Sequence, residues 1–285
     1  VLTEFKKPEK KKKVFSERET IITDKSDIEH VYSGLGPKRC EASFRDPATG
    51  KELFRSMNSV IVPGALFTAQ CHFPRITLPV NLPSYNSLLN LDNTVQTAKP
   101  DDQPREIWLF AVGTDGATSS SHINPIDRTK WIPESALVPF RYCEVGCDIQ
   151  PSLRDMYYGR KTTEDKIAYY FKAFEADPIC YARYKDGTII TPSMYTDNNK
   201  DAEIVVEIEF KIGINDCKDW FRYNSPNGLS DARINTISLL SAWYTIGDDG
   251  FKYFQDIQPV TKLNFKTEAL DDVDKGLDIV YYLYY

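Results

Sequence analysis

The last nine residues, LDIVYYLYY (277–285), set four tyrosines beside Leu277, Ile279, Val280 and Leu283, with Asp278 as the one charge. Chain ends usually fray into a few solvated polar residues. This much aromatic and branched surface must instead be paired in a sheet or covered by a neighbour. Side chains alternate along a strand, so Ile279, Tyr281 and Leu283 are predicted on one face and Val280, Tyr282 and Tyr284 on the other. If both faces are buried within the chain, the segment is core. If one is bare, it marks an assembly surface.

The rest of the chain points to sheet as well. Among its 285 residues are 17 tyrosines and 15 phenylalanines, which suits half-buried strands whose faces are covered by rings. About a dozen strands are expected, with two or three short helices. Asp46-Pro47-Ala48-Thr49-Gly50 reads as a hairpin turn, and Lys185-Asp186-Gly187-Thr188 as another built on the favoured Asp-Gly pair. EIWLFAVGT (106–114) is a clear buried strand. KIAYYFKA (166–173) places Ile167, Tyr169, Phe171 and Ala173 on one face and Ala168, Tyr170 and Lys172 on the other. EIVVEIEFKIG (203–213) alternates acid with apolar, a strand with one wet face. ISLLSAWYTI (237–246) reads as a strand. SYNSLLNL (84–91) fits a helical turn or a strand, and PSLRDMYYGRKTTED (151–165) has weak helical character. VFSERETII (14–22) is a further strand candidate, and prolines 63, 74, 79 and 83 cut residues 59–82 into short strands. Long polar loops at 92–104 and 115–131 flank the strand at 106–114.

Strands do not alternate with long amphipathic helices, which argues against a parallel α/β fold. The expected class is mainly β: an antiparallel β-sandwich, jelly-roll or Ig-like, with long insert loops. Residues 1–13 read as a basic N-terminal arm and residues 14–285 as a single β-rich domain.

The arm holds six lysines against Glu4 and Glu9, a charge of +4. The chain as a whole carries −6, which leaves −10 on the rest. An acidic body disfavours nucleic acid as the main partner, so nucleic acid is expected at most through the lysine arm. No stretch of about 18 apolar residues suggests a membrane span, and no apolar segment of a secretory signal follows the lysines. The six cysteines are scattered and too sparse for a disulfide scaffold.

Candidate chemistry is thin. His30, His72 and His122 read as structural or solvated. Cys71 and His72 are adjacent, so on a strand they point to opposite faces and cannot pair. Cys143 and Cys147 approach the spacing of a structural zinc site, but such a site needs four ligands. Only Cys71 and His72 offer a complement, so two core thiols around a turn at Gly146 is the plainer reading. Asp101-Asp102, Asp248-Asp249 and Asp271-Asp272 sit in polar turns. No Walker, dinucleotide-binding, nucleophile-elbow or H-E-x-x-H motif occurs. No catalytic, cofactor-binding or metal residue is assigned, and no cofactor is expected. The tyrosine pairs 157–158, 169–170, 281–282 and 284–285 stand out instead. Each pair puts one ring on each face of a strand, for a subunit interface or for two-sided burial in one domain.

DDQPREIWLFAVGT (101–114), IPESALVPFRY (132–142), KIAYYFKAFEADP (166–178) and the terminal LDIVYYLYY together resemble virion structural proteins of tailed bacteriophages, most of all the neck or head–tail connector type, over residues 40–285. The resemblance implies a non-enzymatic subunit that forms a ring between portal and tail. It would contact itself and other virion proteins (portal, capsid or tail), assemble in the host cytoplasm and reside in the virion. The alternative from a different class is a β-sandwich carbohydrate-binding or glycan-processing protein, with Trp108, Trp131, Trp220 and Trp243 as a stacking platform. Rings in an open cleft beside two carboxylates favour glycan; rings in the core or at a subunit contact favour assembly.

Overall fold

A computed structural model describes residues 39–60, 84–92, 105–117, 131–190, 202–269 and 276–285. The lysine arm, the three histidines, Cys71, Asp101-Asp102 and Asp271-Asp272 lie outside them. So do the strand candidate at 14–22, the proline-cut segment from residue 61 onward and nearly all of both long loops.

The first hairpin is fixed by Asp46. Its Oδ1 accepts from the amides of Ala48 and Thr49 at 2.7 and 3.1 Å, and Gly50 closes the turn at φ 65°. This joins β1 (Arg39–Arg45) to β2 (Glu52–Val60). The Asp-Gly turn is also formed. It joins β8 (Ile179–Tyr184) to β9 (Ile189–Ile190), with Asp186 Oδ1 capping Thr188 N at 2.8 Å and Gly187 at φ 92°.

Between these hairpins lie β3 (Glu106–Gly113), β4 (Leu137–Val138), β5 (Arg141–Glu144), β6 (Tyr157–Thr162) and β7 (Lys166–Ala173). After them come β10 (Ala202–Ile212), β11 (Arg233–Ile246), β12 (Lys252–Pro259), β13 (Thr261–Ala269) and β14 (Leu277–Tyr284). Two short helices are present among the described residues, α1 (Tyr85–Leu89) and α2 (Lys218–Asn224). The helical alternative for 84–91 is therefore the one adopted: Ser84 caps α1 by accepting from Asn86 N. The weak helical character at 151–165 reduces to a 3-10 turn at Pro151–Leu153, and the rest becomes β6. Pairing with β7 along its whole length outweighs local propensity there.

The fold is mainly β, with every strand pair antiparallel, consistent with a β-sandwich whose sheets do not close. The strands run in the order β5-β7-β3-β11-β13-β2-β1-β14-β10-β8-β9. β13 links the two halves by pairing with β11 on one side and β2 on the other. The main core lies between the halves. Phe110 of β3 meets Phe140, Phe174 and Phe210 there, and Phe44, Phe54 and Phe265 stack beside Ile279, Tyr281 and Leu283. A second apolar cluster covers the other side of β3 and β11, where Leu109, Leu240 and Ala242 pack against Tyr85, Leu89, Phe254 and Ile257. β11 is thus covered on both faces, with Ile237 and Leu239 in the first cluster and Leu240 and Ala242 in the second.

The predicted faces of β7 hold only in part. Ile167 and Tyr169 enter the main core, but Phe171 packs on Tyr85 in the second cluster. The change of side falls between the pairs Tyr158–Phe171 and Arg160–Tyr169, opposite Gly159. Gly159 sits at φ 68°, and a Cβ there would lie 2.3 Å from the Phe171 ring. Only glycine lets β6 turn left-handed at this point and make room for that ring. The wet face of β10 is likewise confined to one end. Glu209 and Lys211 are exposed, but Val205 is buried and Ile204 is not.

Candidate functional site

β14 runs between β1 and β10, paired along its length with both. Its predicted alternation is the observed one. Ile279, Tyr281 and Leu283 enter the main core, where the Tyr281 hydroxyl donates to Thr261 Oγ1 at 2.8 Å. Val280, Tyr282 and Tyr284 form a third cluster with Val205 and Tyr181 on the opposite face, and they too are buried, Tyr282 to 8% and Tyr284 to 2% exposure. Arg183 lies 4.9 Å from the centre of the Tyr284 ring, and the Tyr284 hydroxyl donates to Glu41 at 3.2 Å. Both faces are therefore covered, and the segment is core. Asp278 is half-buried and Tyr285 stands partly in solvent.

The pairs 157–158 and 169–170 also reach both sides. Tyr157 and Tyr169 belong to the main core, while their neighbours Tyr158 and Tyr170 pack on the second cluster. This is two-sided burial within one chain. Burial pushes the hydroxyls of Tyr158 and Tyr170 up to about 12, so both stay protonated.

A cleft of about 190 Å³ opens between β6 and β12, closed at one end by Asp92 after α1. Tyr157, Tyr158, Tyr169, Phe251, Tyr253 and Phe254 supply its aromatic surface. The two carboxylates are Asp92 and Asp148, and both are engaged. Asp92 takes Arg160 Nη1, the Thr162 amide at 3.1 Å and the Thr162 hydroxyl. Asp148 accepts from Tyr169 at 2.6 Å, from its neighbour's amide, Ile149 N, at 2.7 Å, and from Arg160 Nε at 3.3 Å. Burial pushes the Asp148 carboxyl up, but these hydrogen bonds and the guanidinium outweigh it and hold the group below its usual range. Arg160 thus clamps two carboxylates, an arrangement that ties α1 to β6. A general acid needs the reverse, a carboxyl held high.

None of the four tryptophans lines this cleft. Trp243 is buried. Trp108 packs edge-on against Tyr244, Trp131 sits against the second cluster, and Trp220 packs on Phe221 at the main core. Cys143 lies on β5, half-buried, and Cys147 follows the turn at Gly146. That turn is as expected, but Cys147 is exposed rather than core. Among the described residues, no group of three or more His, Cys, Asp or Glu is placed to hold a metal. Asp249, of the 248–249 pair, is occupied by Tyr253 at 2.5 Å. No described helix is long and apolar enough to cross a membrane.

One surface stands apart from these satisfied groups. The strand order ends at β8 and β9, and β9 pairs only with Ala182 and Arg183 of β8. The stretch Ile179–Tyr181 therefore has no strand beyond it among the described residues. Ile179 and Ile189 are each 59% exposed at this end and Ile204 43%, with Cys180 also in solvent. Composition hid this patch, because an isoleucine in an alternating strand reads as core. Its signal was position: two short strands around a tight turn, at the end of a sheet.

Comparison with known protein families, with curated proteins and with solved structures finds no match to this chain.

Proposed function

We propose that this chain is a non-enzymatic structural subunit that self-associates, in a virus particle of the kind its sequence resembles. The observation that carries this reading is the apolar edge at β8–β9, beyond which no strand lies among the described residues. An unpaired strand edge offers a row of backbone donors and acceptors, and natural proteins usually blunt such edges with charge, proline or a covering element. Here the edge strands carry two exposed isoleucines, Ile179 and Ile189. Two copies meeting edge to edge about a two-fold axis would continue the sheet and bury Ile179 and Ile189 against their counterparts. The binding of nucleic acid through the lysine arm, and of portal, capsid or tail proteins, belongs to the same proposal.

The positions of the tryptophans and of the cleft carboxylates also support assembly over glycan binding. The tryptophans pack into the protein, and Asp92 and Asp148 are held by Arg160. The direct test is light scattering during size-exclusion chromatography, on the intact chain and on the Ile179→Lys, Ile189→Lys double variant. Both positions are exposed, so stability should change by no more than about 0.5 kcal/mol. The expected result is an oligomer that the double variant shifts toward monomer. A chain that stays monomeric at high concentration, or an oligomer indifferent to both lysines, would refute the role given to this edge.

A further inference from the structure

Lys172 and Asp216 are opposite charges buried in the main core, each with 2% of its side chain exposed. Lys172 Nζ lies 3.0 Å from Asp216 Oδ2. A second carboxylate, Glu175 Oε1, stands 3.5 Å from the same nitrogen. Two donors already hold the Asp216 oxygens: the Tyr157 hydroxyl on Oδ1 at 2.7 Å and the Gly213 amide on Oδ2 at 2.7 Å. The carboxylate is turned inward by a backbone that resists it. Cys217, the next residue, sits at φ 67°, a left-handed conformation that costs a residue with a side chain about 1–2 kcal/mol. The Cys217 amide, bonded to Phe140 O at 2.8 Å, anchors that turn.

A buried ion pair is a weak source of stability, because desolvating both charges offsets their attraction. Beyond the ion pair, the amine also donates to Lys211 O at 2.8 Å and faces Glu175, and the carboxylate takes two donors of its own. The arrangement presents an amine, a carboxyl, a second carboxylate on the amine, and one donor on each carboxyl oxygen, with the Tyr157 hydroxyl on Oδ1, where negative charge would develop during attack at Cγ. We infer that Lys172 and Asp216 become joined by an intramolecular amide bond, formed by the folded chain without any other component.

The atoms balance as follows. Proton transfer from Nζ to Oδ2 within the pair gives a neutral amine and a neutral carboxylic acid. The Nζ lone pair attacks Cγ and forms the N–C bond, and the Tyr157 hydroxyl stabilises Oδ1, the oxygen that gains charge, while Oδ2 carries the transferred proton as the hydroxyl. Glu175 takes a proton from the nitrogen and returns it to the hydroxyl, which leaves as water when the C–O bond breaks. Ammonium plus carboxylate becomes amide plus water, nothing is oxidised or reduced, and Glu175 ends unchanged. Its side chain is 34% exposed, so it links the site to solvent. Fixing the two reactants in place supplies the drive that dilute groups lack, since effective molarities of well-oriented intramolecular pairs reach roughly 10⁵–10⁸ M. The bond would staple β7 to the loop after β10, across the two halves of the sandwich. It does not depend on the assembly reading.

The test is the intact mass of the full chain under denaturing conditions. The expected value is the sequence mass less one water. Tryptic digestion should then give the peptide 167–183, uncleaved at Lys172, linked to 212–218. A mass equal to that of the sequence overturns the bond. Glu175→Gln should restore the missing water, and a bond that still forms in that variant overturns the role of Glu175. If the variant does not fold, the mass of the unaltered chain still decides.

Discussion

Replacing the tyrosines of β14 one face at a time tests whether its second face is interior. Tyr281 is fully buried among Phe210, Ile279 and Leu283, and truncation to alanine leaves a cavity with little freedom to collapse. Large aromatic to alanine changes cost about 3–5 kcal/mol, and Tyr281→Ala belongs at the upper end because it also removes a buried hydrogen bond to the Thr261 hydroxyl. Tyr284 lies on the opposite face, nearly as buried. Its loss removes the contact with Arg183 and the bond to Glu41, but Glu41 keeps Arg55 as a partner. The nearby chain end relaxes more easily, so about 3 kcal/mol is expected. With a urea slope of about 3 kcal/mol per molar, Tyr284→Ala moves the unfolding midpoint down by about 1 M and Tyr281→Ala by somewhat more. Tryptophan fluorescence of the monomeric fraction reads both. A midpoint for Tyr284→Ala within about 0.2 M of the unaltered chain, with weakened self-association, would show that this face is a subunit surface and refute the burial argument.

Three further outcomes follow from single contacts. Tyr169→Phe removes the hydroxyl that holds Asp148, whose carboxyl is depressed in the folded state, and should cost about 1 kcal/mol at neutral pH after allowance for partial exposure. A depressed carboxyl contributes stability above its unfolded pKa of about 3.9 and loses it as pH falls through the folded value. The gap between variant and parent, read by urea titration at several pH values, should therefore close below about pH 4. Gly159→Ala meets both a positive φ and the Phe171 ring and should lose about 2–4 kcal/mol, whereas Gly187→Ala, with φ 92° and open space, should lose about 1 kcal/mol; thermal melts separate the two. Thiol labelling of the native chain should modify Cys147 and Cys180 quickly, and Cys40 and Cys217 only on unfolding, because burial pushes both of their thiols up.

Much of the strand content was legible because it is written in local chemistry. Asp46 to Gly50 and Asp186-Gly187 are turns in any context that lets strands pair, and the alternation of β14 survives because the strand is flanked on both sides. The misreadings come where a tertiary partner overrides a local pattern. Residues 157–162 look weakly helical in isolation and become β6 because β7 lies alongside. Phe171 leaves its predicted face because Gly159 yields to its ring. The ends of β10 differ because Val205 lies in the third cluster, while Ile204 sits near the open sheet edge.

The polar interior was illegible for a different reason. Asp92 and Arg160 are 68 residues apart, and Lys172 and Asp216 are 44 apart. In a chain with 41 acidic and 35 basic residues, almost any such pairing is available on paper. What selects among them is burial. A lysine within a strand that is apolar on both sides, as Lys172 is in KIAYYFKAF, must find a partner in the core or keep the strand out of it. That local anomaly was visible in the sequence, though its partner was not. Lys172, a charge inside an apolar strand, was thus a sharper pointer to the interior than the acidic pairs in turns. Of those pairs only Asp248-Asp249 is described, and Asp249 is engaged by Tyr253.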